Sequence, residues 1–109
     1  MRSLYIYFHG IKAGQLTENI PGKLYSFKYF GSYLQQPCGA ISVTLPLTNK
    51  VYESDKLFPF FANMLPEGAN KRIVCREHKI DENDLFGLLN CFSGKDIIGA
   101  ITVKIPENE

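Results

Sequence analysis

Ser54-Asp55-Lys56-Leu57-Phe58-Pro59-Phe60-Phe61-Ala62-Asn63-Met64-Leu65-Pro66-Glu67-Gly68-Ala69-Asn70 decides how the rest of the chain is read. Five bulky apolar residues (Leu57, Phe58, Phe60, Phe61, Met64) crowd into eight positions, and a Pro-Glu-Gly turn follows Leu65. Ser54 or Asp55 is placed to cap a helix with Leu57, Phe58, Phe61 and Leu65 on one face. Pro59 falls in the first turn, where its missing N–H costs little, and Pro66 ends the helix. A stripe at this spacing belongs in a core. Phe60 and Met64 lie on its flank as surplus, so they are expected to be exposed anchors for a protein partner.

Before this stretch the chain reads as strands. Leu4–Phe8 is apolar and β-branched, His9-Gly10 is a turn signal, and Ala13–Thr17 returns antiparallel. Leu24–Tyr29 is a third strand. Gly31–Gly39 reads as irregular with one helical turn. Ile41–Leu45 alternates as Ile-Ser-Val-Thr-Leu, a fourth strand. After the stretch, Glu67–Lys79 is a polar amphipathic helix. Asp81 caps a third helix, with Asp84 placed for a capping-box return and Leu85, Phe86, Leu88 and Leu89 apolar. Gly94 closes it, and Ile97–Ile105 forms a last strand interrupted by Gly99. Strands followed by helices and a late strand predict an α+β fold. The alternating units of a nucleotide-binding sheet are missing.

The 109 residues suit one domain, 1–109, and 45% hydrophobic content supports a packed core. Twelve basic and eleven acidic residues give a net charge of +1, without the basic footprint of a nucleic-acid binder, so no direct nucleic-acid binding is expected. Cys38, Cys75 and Cys91 are odd in number and lack metal-ligand spacing, as in a reduced cytoplasmic protein. The start carries no signal-peptide pattern, and no apolar run approaches the ~20 residues of a membrane span.

Chemistry has little to build on. Cys75 and His78 stand at i, i+3 on a helix, but an orienting group and an oxyanion site are not evident. Gly94-Lys95-Asp96 lacks the earlier glycine of a phosphate loop, since that position is Leu89. Asp81, Glu82 and Asp84 favour a helix start through the dipole, and an EF-hand pattern is absent. Catalytic residues, metal and cofactor are therefore expected to be none. Lys71, Arg72 and Arg76, with Lys79 close by, form a basic stretch fit for phosphate or an acidic partner, or for a solvated helix face.

Several segments, in this order, resemble the small N-terminal domain of HipA-family serine/threonine kinases, the toxins of bacterial Hip toxin–antitoxin systems. Gly14-Gln15-Leu16-Thr17, Phe27-Lys28-Tyr29 and Ile41-Ser42-Val43-Thr44-Leu45-Pro46-Leu47 are similar to its early strands. Phe58-Pro59-Phe60-Phe61 with Leu65-Pro66-Glu67-Gly68 resembles its aromatic block. Asp84-Leu85-Phe86-Gly87-Leu88-Leu89 and Gly99-Ala100-Ile101 resemble its closing helix and strand. The resemblance implies a small antiparallel β-barrel-like sheet with about three helices inserted before the last strand. HipA continues into a kinase core, so a chain of this length resembles HipS, the separate small subunit of three-gene Hip systems. That implies an antitoxin that binds and inhibits a HipT-like kinase, in a ternary complex with a HipB-like DNA-binding protein. The alternative is an excised HipA N-terminal domain that supports a kinase structurally. Relatives often carry a tryptophan after Pro-Glu-Gly, suited to plugging the kinase active site; Ala69 stands there in this chain. The expected partner-binding residues are Phe60, Met64, Pro66, Glu67, Gly68, Ala69, Asn70, Lys71 and Arg72.

Overall fold

In the computed structural model, residues 2–35, 39–91, 96–98 and 101–105 are described. The first hairpin pairs β1 (Arg2–Phe8) with β2 (Ile11–Ile20). His9 and Gly10 join them at φ 53° and 80°, the left-handed pair that suits the twist of a two-residue hairpin. β3 (Leu24–Tyr29) adds to β2, and β4 (Tyr52–Ser54) adds to β3. β5 (Asp96–Ile98) and β6 (Ile101–Lys104) form a second hairpin, which docks through β6 against β1. The sheet is antiparallel in the order β4-β3-β2-β1-β6-β5. It stays open, with β4 and β5 at its edges, which corrects the barrel-like expectation and keeps the α+β class.

Alternation sends Leu4, Ile6, Leu16, Phe27, Ile101 and Val103 to one face, all buried. Helices cover that face: α1 (Gly31–Gln35), α2 (Pro59–Ala62), α3 (Gly68–His78) and α4 (Leu85–Asn90). They contribute Tyr33, Phe61, Cys75, Phe86, Leu88 and Leu89 to the same core. Leu57, Phe58 and Leu65 join them, as the aromatic stretch predicts. Gly14 is required by close approach: a Cβ there would stand 2.6 Å from the Phe27 ring and 2.5 Å from the Lys28 carbonyl oxygen.

Four local expectations change. Ile41–Leu45 is a turn, because Ile41 and Leu45 are buried while Val43 is 95% exposed. A strand would have put all three on one face. Tyrosine hydroxyls hold this segment instead. Tyr29 Oη accepts from the Ile41 N–H at 3.1 Å and donates to the Leu45 carbonyl. Tyr33 Oη donates to Gly39 O at 2.7 Å, and Tyr52 Oη to Pro46 O at 2.6 Å. Ser54 ends β4 and does not cap a helix; the helix starts at Pro59, after Phe58 at ψ 135°. The helix expected after Asp81 is α4, and it is capped by Asp84, whose Oδ1 accepts from the Gly87 N–H at 3.0 Å. Asp81 Oδ1 closes the preceding turn on the Asn83 N–H at 2.8 Å. The late strand is split into β5 and β6, while Gly94 and Gly99 lie outside the described residues, as does Cys38.

Candidate partner-binding surface

α2 is a single turn. Its chain continues through Met64 N–H to Phe61 O at 3.2 Å and Leu65 N–H to Ala62 O at 3.2 Å, which rolls Met64 and Leu65 inward. Met64 is 8% exposed, so it is a core residue and not the free anchor expected from its flanking position. Phe60 is half-buried, with its ring edge-on to Phe61 at 5.2 Å. These side chains fill the space that the short helix leaves between α2 and the sheet.

Leu65 and Pro66 lead out of the core to Glu67, extended at φ −126° and ψ 164°. Gly68 then turns the chain at φ 59°, where an L side chain would be strained; open space surrounds its Cα. Gly68, Ala69 and Asn70 are therefore the first turn of α3, not a free-standing tip. Glu67, Gly68, Ala69, Asn70 and Arg72 are exposed, and Pro66 and Lys71 are half-buried. Arg76 and His78 lie in the last turn of α3, where positive charge suits the dipole, and Lys79 closes it in the left-handed region at φ 56°.

α3 packs on the core along one side, through Val74 and Cys75. Of its eleven residues only Cys75 is fully buried. Ile73, 51% exposed, lies one turn beyond Ala69 and Asn70, so these three line one face, with Arg76 and Glu77 next along it. Ile73 went unnoticed in the sequence because the short run Ile73-Val74-Cys75 lies in an otherwise polar segment, outside the aromatic cluster. Beside this face an open groove of about 470 Å³ is lined by Arg72, Cys75, Arg76, Lys79, Ile80, Asp81, Glu82 and Asn83. A second groove, about 450 Å³, runs between Gly22, Tyr25, Leu57, Pro59, Ala62 and Leu85. Cys75 is buried while His78 is exposed, which separates the one cysteine–histidine pair that the spacing offered.

The charged cluster with a built geometry lies elsewhere. The Arg2 guanidinium donates through Nε to Glu18 Oε1 at 2.8 Å and through Nη2 and Nη1 to Asp84 at 2.8 and 3.2 Å. It also sits 5.2 Å from the Phe86 ring centroid. Glu18 is 2% exposed. The Arg2 hydrogen bond, helped by the Gly87 N–H, holds the Asp84 carboxyl below its ordinary range. Burial, and then the Glu18 carboxylate, pushes the Tyr25 hydroxyl up. This cluster ties the first hairpin to α4. Among the described residues no group of three or more His, Cys, Asp or Glu is gathered to hold a metal, and no helix is long and apolar enough to cross a membrane.

Comparison with known proteins agrees with this architecture. An uncharacterized protein of Haemophilus influenzae strain Rd is 33% identical over 105 residues, covering 95% of this chain and 92% of that protein. The solved N-terminal domain of HipA toxin superposes with a TM-score of 0.74 at 29% identity, covering all of this chain (100%) and 96% of that one. Residues 4–104 match the sequence profile of the HipA N-terminal domain, and the chain belongs to that family.

Proposed function

We propose that this HipA-related chain is a non-catalytic regulatory subunit that docks on a HipA-type serine/threonine kinase and restrains it, as an antitoxin of the HipS kind. One observation carries the reading. α3 spans eleven residues, buries one side chain fully and presents Ile73 to solvent. So short a helix gains little from propensity alone and is normally held by packing. A helix that leaves a bulky apolar side chain exposed beside its packed side is suited to complete its packing on a partner. Ala69, Asn70 and Ile73 form the centre of the contact, with Glu67, Gly68, Lys71 and Arg72 around it. Phe60, Met64 and Pro66 act beneath it, holding the path into α3.

Ala69 is too small to plug a nucleotide cleft, so the restraint works by occupying a kinase surface. A second reading, a domain that supports its kinase structurally, is favoured by the match to the N-terminal domain of HipA toxin. Kinase activity separates the two. The chain is co-expressed with a HipA-type kinase that lacks this domain, and complex formation and autophosphorylation are measured. The expected result is a complex at micromolar concentration with reduced phosphorylation, lost on Ile73→Asp. Separate elution with unchanged growth arrest refutes both readings, whereas a complex with raised phosphorylation leaves the supporting role.

A further inference from the structure

We infer that the face of the sheet turned away from the helices docks an acidic protein surface through Lys12, Lys28 and Lys104. The register builds this face. Tyr5 stands opposite Lys104 on one side and Gln15 on the other, and Gln15 stands opposite Lys28. The row crosses four strands, roughly 14 Å at the usual strand spacing. Each member alternates with a buried core residue, so the row looks outward. Tyr7, one pleat along, pairs with Lys12 and Thr102. The Lys12 ammonium lies 4.3 Å from the Tyr5 ring centroid and 5.9 Å from that of Phe30, and Lys104 lies 4.6 Å from Tyr7. Lys12, Lys28 and Lys104 are all exposed.

Among the described residues the lysines of this face make no ion pair. Both ion pairs among the described residues belong to Arg2. The carboxylates nearest in register are Glu53, opposite Ser26, and Asp96, opposite Thr102; both stand on edge strands, and the lysines stand on the strands between them. The chain as a whole carries +1, so three lysines on the middle strands of one face concentrate positive charge there. Such asymmetry steers an acidic partner to one side of the molecule. The half-buried tyrosines beneath the ammoniums supply aromatic area for a protein contact with a charged rim.

Other occupants fit less well. A second copy would set lysine against lysine across a two-fold axis. Nucleic acid reads a sheet by stacking bases on free ring faces, but here ammoniums lie over Tyr5 and Tyr7. The helices all pack on the opposite face, so this surface stays open when α3 is engaged, and the inference does not depend on the kinase reading.

The test is a ¹H–¹⁵N titration of the full chain at low salt with a glutamate-rich peptide, and separately with single-stranded DNA at equal charge concentration. The peptide is expected to shift the amides of Tyr5, Tyr7, Gln15, Lys28 and Lys104. A Lys28→Gln, Lys104→Gln variant with unchanged circular dichroism is expected to bind about fivefold more weakly or worse. Peptide shifts spread evenly over Lys23, Lys50 and Lys56, or parent-like binding by the variant, overturn the proposal. So does tighter binding of DNA at this face, or a dimer by light scattering that the variant abolishes.

Discussion

Gly87→Ala is expected to destabilise the domain although it places a better helix former inside a helix. In an ordinary helix interior, Gly to Ala gains about 0.5–1 kcal/mol. At Gly87 of α4 a Cβ would stand 2.3 Å from Asp84 Oδ2, 2.8 Å from its Cγ and 3.2 Å from Arg2 Nη1. Turning the carboxylate about its last bond does not relieve a contact to Cγ, so the side chain itself must leave its rotamer. Asp84 then gives up two things. It loses the cap on the Gly87 N–H, a loss of about 1 kcal/mol. It also loses both hydrogen bonds from Arg2, charge-assisted contacts of about 1.5–3 kcal/mol at partly buried sites. Set against the propensity gain, the net loss is about 1.5–3.5 kcal/mol. Urea unfolding of the parent, Gly87→Ala, Asp84→Ala and the double variant forms a cycle that isolates the clash. With Asp84 already truncated, Gly87→Ala should become neutral or stabilising. A higher midpoint for Gly87→Ala alone, or equal effects in the two backgrounds, refutes the reasoning.

The same cluster sets an acid limit. The native state holds the Asp84 carboxyl below its unfolded value, so stability from this group is fully present above about pH 4. It declines as pH falls through the native value, and Asp84→Asn should remove that part of the pH dependence in melting curves taken from pH 6 to pH 2. Phe61→Ala, at 0% exposure among Phe27, Phe58 and Phe60, should cost about 3–5 kcal/mol in urea unfolding, with kinase binding lost only through unfolding. Met64→Asp should likewise fail to fold, since it buries an unpaired charge. Ile73→Asp should change the melting midpoint little and weaken kinase binding by about 1–3 kcal/mol in calorimetry. Calorimetry with ATP should detect no binding by the isolated chain; a specific isotherm would count against a non-catalytic subunit.

Periodicity revealed the elements that pack on something. β1, β3 and the aromatic stripe were legible because each sends apolar side chains one way at its own period. The Ile41–Leu45 segment has the same alternation and is no strand. There, hydroxyls of Tyr29, Tyr33 and Tyr52, remote in sequence, satisfy the backbone that a sheet partner would have satisfied. No local pattern encodes that. β4 was missed because three residues carry no period. Met64 was misplaced because an ideal helix through 57–65 puts it on the flank, whereas α2 ends at Ala62 and the following turns redirect it inward. The surface residues fared unevenly for one reason. Exposure of Glu67 to Asn70 follows from two polar and two small residues after a proline, but the exposure of Ile73 depends on how little of α3 the core covers.

Under the proposed function, the division of labour between Met64 and Ile73 bears on how a binding helix stays both folded and available. Had Met64 been the anchor, partner binding and core packing would have drawn on one side chain, and each would have limited the other. The chain separates them instead. Met64, Leu65 and Cys75 fasten the entrance and one side of α3 to the core. Gly68, at φ 59°, redirects the backbone between Leu65 and Cys75, so the exposed face is set by this turn and by core contacts that a partner need not break. Replacing Gly68 by alanine adds no clash, since nothing lies within 4 Å, but it strains the left-handed turn. Its effect should therefore fall on the direction of α3 more than on the core. A variant that keeps the chain folded while lowering partner affinity at Gly68, without touching any apolar contact, is what this arrangement requires.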